Sequence, residues 1–177
     1  MYRVIIDTSV FIAGLLTKSP TSSSAQIIQM WRSGAFTLVT APQLMTELVA
    51  KLIDKKIPDD VIVDLIKVIA KASLHIPGAC ETTKLDFVDP NDNMFLAAAY
   101  ESGADYLVSM DKKSLLPLKH FHGTQIRTPE LFLRVLMGLT DEEAEEEALQ
   151  EDVDSEIKAL EKETWARRHE QPGKFES

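Results

Sequence analysis

The sequence predicts an α/β fold: a three-layer α/β/α sandwich around a mainly parallel, five-stranded sheet. Short apolar runs rich in β-branched and aromatic residues alternate with longer stretches of helical periodicity, the pattern that puts helices on both faces of a parallel sheet. With 177 residues, 45% of them hydrophobic, the chain can build one proper core. No run approaches the roughly 18 apolar residues of a membrane span.

Val4-Ile5-Ile6 is the first strand and ends at Asp7. Phe36 to Thr40 and Tyr106 to Ser109 are two more, and Leu74 to Ile76 and Gln125 to Arg127 are weaker candidates. Ser22 to Arg32 reads as a helix. Thr40-x-x-Gln43 resembles a capping box opening the next helix, with Pro42 in its first turn. Leu44, Met45, Leu48, Val49, Leu52 and Ile53 give that helix an apolar stripe. Pro58 opens a third helix, Val61 to Ala72. Asp89-Pro90 opens a fourth that runs to about Ser102 and stops at Gly103, and Thr128-Pro129 opens a fifth.

Charge divides the chain. Residues 1–140 hold 14 acids and 14 Lys or Arg, whereas residues 141–177 hold 14 acids and 5, so the whole net charge of −9 lies in the C-terminal segment. We read residues 1–139 as the body and residues 140–177 as an acidic helical tail, disordered from about Gln171. Thr140 to Glu143 matches a capping box, and Ala144, Ala148, Leu149, Val153, Ile157, Leu160 and Trp165 form a thin apolar stripe. That stripe leaves three roles open: docking on the body, pairing with a partner, or a loose helix. The single cysteine, Cys80, rules out an internal disulfide and fits a cytoplasmic location. The N-terminus enters a strand without an apolar leader, so we expect no signal peptide.

Four acids stand out by position. Asp7 and Asp111 follow the Val4 and Tyr106 strands, and ligands of open parallel sheets bind beyond the carboxyl ends of strands. Asp92 lies in the first turn of its helix, and Glu47 borders the apolar stripe of another. Gathered together, four carboxylates repel one another and call for a hard cation with oxygen preference, Mg²⁺ or Mn²⁺. Metal-assisted hydrolysis of a phosphodiester is the natural chemistry of such a site. Each acid also has a plainer reading: Asp7 as the cap of a helix starting near Val10, Asp111 as a turn residue before Lys112-Lys113, Glu47 as a solvated helix position, Asp92 as an ordinary first-turn acid. Asp89 is read as the N-cap before Pro90, at most supporting the site. His75, His120 and His122 lack metal-site spacing, and Trp31 and Trp165 read as packing residues.

Asp7-Thr8-Ser9-Val10, Glu47 within Pro42 to Leu48, Asp89-Pro90-Asn91-Asp92-Asn93 and Leu107-Val108-Ser109-Met110-Asp111, in this order, resemble the PIN domain. The likeness covers roughly residues 2–137 and is strongest to the branch of toxins from toxin–antitoxin systems. It implies a five-stranded parallel sheet between helices and Mg²⁺-dependent cleavage of RNA, with Asp7, Glu47, Asp92 and Asp111 as metal-coordinating acids. Ser9 and Ser109 would be polar residues beside them, and Asn93 and Lys112 match without an assigned role. An antitoxin protein and a homodimer are the partners it implies. The acidic tail is an addition to that pattern. A haloacid dehalogenase phosphatase would need an acid where Ser9 stands, and a receiver domain would need a second N-terminal acid. The alternative from another class is a catalytically silent PIN-like module that binds RNA or protein.

Overall fold

The computed structural model describes residues 1–169. Strand β1 (Arg3–Ile6) leads into helix α1 (Thr8–Leu16) and then α2 (Ser23–Arg32), β2 (Thr37–Thr40), α3 (Pro42–Asp54), α4 (Asp59–Ala72) and β3 (Ser73–His75). A loop and a 3₁₀ turn (Pro90–Asp92) precede α5 (Asn93–Ser102) and β4 (Tyr106–Val108). A second 3₁₀ turn (Leu116–Leu118), β5 (His120–Phe121), β6 (Thr124–Arg127), α6 (Pro129–Leu136) and α7 (Asp141–His169) complete the chain.

The strand order is β3-β2-β1-β4-β6-β5, parallel throughout except for β5 against β6. The expected five parallel strands are therefore present, with a sixth short strand at one edge. His122 and Gly123, at φ +46° and +91°, form the two-residue turn between β5 and β6. Two consecutive positive φ values suit the primed hairpin turns that follow strand twist. Strand alternation separates two cores. Val4, Ile6, Tyr106 and Val108 face α1, α2 and α6, while Ile5, Val39, Leu107 and Ile126 face α5. Trp31 is a core residue, packed edge to face on Phe11.

Two local expectations need correction. Thr40 does not cap α3: its carbonyl accepts from Ile76 N–H beside β3, the N-cap is Ala41 without a side-chain bond, and Gln43 donates instead to the Gly78 carbonyl at 2.6 Å. The backbone of Thr40 is held by the sheet, which takes precedence over a cap worth about 1 kcal/mol. The fourth helix begins as the 3₁₀ turn capped by Asp89, and the α-helix proper starts at Asn93.

The tail's capping box does form. Glu143 accepts from Thr140 N–H at 2.8 Å, and Thr140 Oγ1 accepts from Glu143 N–H at 3.2 Å. The first turns of α7 dock on the body: Ala144 is buried, and Asp141 binds Arg127 at 2.8 Å and the Tyr106 hydroxyl at 2.9 Å. The Trp165 side chain and residues 171–177 lie outside the described residues. Among the described residues no helix is long and apolar enough to cross a membrane.

Candidate active site

The chain runs from β1 outward to β2 and β3, then returns to place β4 on the other side of β1. The carboxyl ends of β1 and β4 therefore flank the topological switch point, where the two adjoining connections leave in opposite directions and open a crevice. A cleft of about 580 Å³ lies there. Asp7, Glu47, Asp92 and Asp111 all line it, with Asp89 and Ser9.

Asp7 is 6% exposed and holds two positions at once. Its carboxylate caps α1 by accepting from Ser9 N–H at 3.2 Å, and it accepts from the Ser9 and Ser109 hydroxyls at 2.6 Å each. One geometry therefore lets Asp7 cap α1 and line the cleft, because the first turn of α1 opens into it. Ser109 is fully buried, and its Oγ also accepts from Asp111 N–H at 2.9 Å. Glu47 projects from α3 and accepts from the Thr8 hydroxyl at 3.1 Å. Burial above all, aided by the charges of Asp7 and Asp89, raises its carboxyl above the ordinary value, against the Thr8 hydrogen bond and Lys51.

Asp92 and Asp111 meet across the Ser114 hydroxyl, which bonds both. Burial pushes Asp92 up to about 7, with Asp111 and Asp89 adding to the effect and the Ser114 hydrogen bond opposing it. For Asp111, burial acts upward but is outweighed by hydrogen bonds from Ser114 and the Lys113 backbone, so its carboxyl sits below the ordinary value. Asp89 accepts from Asn91 N–H at 3.0 Å, as an N-cap does.

Sequence reasoning did not find Ser114, which is 3% exposed. A serine after Lys112-Lys113 carries no periodic or motif signal of its own. Lys51 and Lys55 also line the cleft, one and two helical turns beyond Glu47 on the same face of α3. Their charge on the surface of the body is plain in the sequence, and their spacing from Glu47 is the signal that could have placed them in the cleft. Asn93 proves structural: its Oδ1 accepts from Leu85 N–H at 2.8 Å and its Nδ2 donates to Asp86 at 2.7 Å, which ties down the loop before α5.

The donor chemistry of the cleft fits a hard divalent cation. All four acids offer oxygen, and two, Glu47 and Asp92, are raised by burial and by the charges of neighbouring carboxylates, a state that added positive charge relieves. Among the described residues no three of them are grouped tightly enough to hold one ion as they stand. Serine and threonine hydroxyls occupy their oxygens instead.

Comparison with known proteins agrees with this architecture. No curated protein matches the chain significantly. Among solved structures, the chain is similar to one from the crystal structure of VapBC2 from Rickettsia felis bound to a DNA fragment from their promoter. That likeness has a TM-score of 0.51 at 12% identity and covers 71% of this chain and 98% of that one. Similarity to PAE2754 from Pyrobaculum aerophilum has a TM-score of 0.49 at 16% identity, covering 78% and 91%. A family model described as PIN domain matches residues 3–113, more than half of the sequence, and the chain belongs to that family.

Proposed function

We propose that the protein is a Mg²⁺- or Mn²⁺-dependent endoribonuclease, with residues 1–139 as the nuclease domain and residues 140–177 as an appendage. The observation that carries this reading is the gathering of Asp7, Glu47, Asp92 and Asp111 in one cleft with Lys51 and Lys55. The four acids would hold the cation. When bound, it would supply activated water and neutralise charge building on the phosphodiester. Ser9 and Ser109 orient Asp7, Ser114 keeps Asp92 and Asp111 together, and Asp89 secures the turn that presents Asp92. Lys51 and Lys55 give the acidic cleft a cationic wall suited to the phosphates beside the scissile one. The toxin role, with an antitoxin protein as partner, a homodimeric state and a cytoplasmic location, rests on the resemblance of the four motifs to PIN-domain toxins.

The test is cleavage of an end-labelled RNA pool, beside a DNA pool of the same sequences, in Mg²⁺, Mn²⁺ or EDTA. RNA is expected to be cut only with metal. Asp7→Asn keeps an N-capping oxygen while removing a ligand charge, and should slow cleavage at least about a hundredfold with the fold intact. Wild-type rates for Asp7→Asn, or cleavage indifferent to EDTA, would overturn the site. The silent-module alternative predicts RNA binding without cleavage and no Mg²⁺ or Mn²⁺ uptake by calorimetry.

A further inference from the structure

Helix α7 has two faces of different character. At 3.6 residues per turn, positions 141, 144, 145, 148 and 151 share the side toward the body. There Ala144 is 1% exposed, Asp141 and Glu145 bind Arg127, and Glu151 binds Arg134 at 2.6 Å. Leu149, Val153, Ile157 and Leu160 follow one another at spacings of four, four and three, which places them on roughly the opposite side. They are 65%, 49%, 49% and 62% exposed. A helix whose only task was solvation would have polar residues there. Single exposed aliphatics are ordinary, but four in register along about 17 Å of helix make a continuous apolar stripe.

The charges around the stripe say what covers it. Asp152 and Glu156 lie along one edge and Asp154 and Glu161 along the other, all exposed. Lys158 and Lys162 fall on the reverse side. Over residues 141–163 there are twelve acids and two lysines. A second copy of α7 laid on the stripe, in either direction, would set acidic edge against acidic edge. The complementary occupant has aliphatic residues at helical spacing and Lys or Arg beside them.

We propose that the outer face of α7, from Leu149 to Leu160, is a docking surface for a basic amphipathic helix of a partner protein. Aliphatic anchors would interdigitate with the stripe, and flanking cations would pair with Asp152, Asp154, Glu156 and Glu161. The inference does not depend on the nuclease reading, since no residue of α7 lines the carboxylate cleft.

The test uses the full-length protein and fluorescein-labelled synthetic helices, read by anisotropy at about 0.15 M salt. One peptide carries Leu and Ile at helical spacing flanked by Lys and Arg, one is its scramble, and one has Glu in place of the cations. The patterned basic peptide should bind at least tenfold tighter than either control, and should weaken as salt rises. Val153→Gln with Ile157→Gln breaks the middle of the stripe without losing helix propensity, which circular dichroism verifies. This variant should lose at least tenfold in affinity. The proposal is overturned if the patterned peptide does not bind, if the scramble binds equally well, or if the variant binds like wild type. It is also overturned if sedimentation shows a dimer that the same variant converts to monomer, because the occupant is then a second copy.

Discussion

Asp92 shows how far burial can move a carboxyl that a helix N-terminus would otherwise favour as an anion. Its value near 7 in the folded protein stands above the ordinary 3.8. Between those values the native state keeps a proton that the unfolded chain has released, so native binding exceeds unfolded binding and stability falls as pH rises through that window. Glu47 is shifted in the same direction. Asp111 is shifted the opposite way, so its contribution is present above its unfolded value and is lost in acid. The metal-free protein should therefore melt at a lower temperature at pH 7.5 than at pH 5.5, and Asp92→Asn should flatten that slope. Calorimetric scans across pH check this; a slope unchanged in Asp92→Asn would show that Asp92 ionises normally. Relief of repulsion in Asp7→Asn should be offset by weakened bonds to Ser9 and Ser109, leaving stability within about 1 kcal/mol of wild type.

Helices α1 and α3 both line the cleft, and each has a sequence feature serving that position. Gly14 lets α1 lie close on α2: a Cβ added there would stand 2.5 Å from Ile28 Cδ1 and 2.9 Å from the Ser24 carbonyl oxygen. Ile28 can turn away, but the backbone oxygen requires the helices to separate. Gly14→Ala should cost about 1–3 kcal/mol in packing, offset in part by about 1 kcal/mol of helix propensity, so the melting temperature should fall by a few degrees. A rise in melting temperature would mean that the helices separate without cost. On α3, Glu47, Lys51 and Lys55 follow at intervals of four, so the cleft turns from acidic to basic along one helix face. Replacing both lysines with Ala should weaken RNA binding in EDTA and lower the slope of log affinity against log salt by about 1.4, at about 0.7 per phosphate contact on a single strand. An unchanged salt slope would remove these lysines from the RNA path.

Across the whole molecule, charge is segregated between a neutral body and a tail that carries all of the net −9. The structure joins the two through one buried and one half-buried cation of the body. The Arg127 side chain is 9% exposed and meets Asp141 and Glu145, and Arg134, at 17%, meets Glu147 and Glu151. Arg127 also donates to the carbonyls of Lys119 and Ile126, so it joins β6, the preceding turn and the tail. Asp141→Ala strips the best-placed anion from a buried guanidinium and frees the Tyr106 hydroxyl. The expected cost is on the order of 1–3 kcal/mol, discounted because Glu145 and the carbonyls remain. Denaturant unfolding measures it, and a change below about 0.5 kcal/mol would mean that the tail only rests on the body. RNA cleavage should persist in this variant, since Asp141 is outside the cleft.

The sequence alone determined the alternation of strands and helices, because apolar periodicity is local and each element must bury one face. It also determined the outer frame of the candidate site. Asp7 and Asp111 follow the two central strands, and a parallel sheet with a switch point brings such ends together. Other features depended on packing between distant parts of the chain. Ser114 reaches Asp92 only because the turn after β4 folds over the start of α5, and Lys51 and Lys55 enter the cleft only because α3 packs with that face toward α1. The hairpin of β5 and β6 is too short to show alternation. The docked face of α7 was hidden because its partner cations, Arg127 and Arg134, belong to a strand and a helix whose own patterns do not mark them. Local periodicity specifies which face of an element is buried, but which polar groups meet across the resulting gaps is a property of the assembled core.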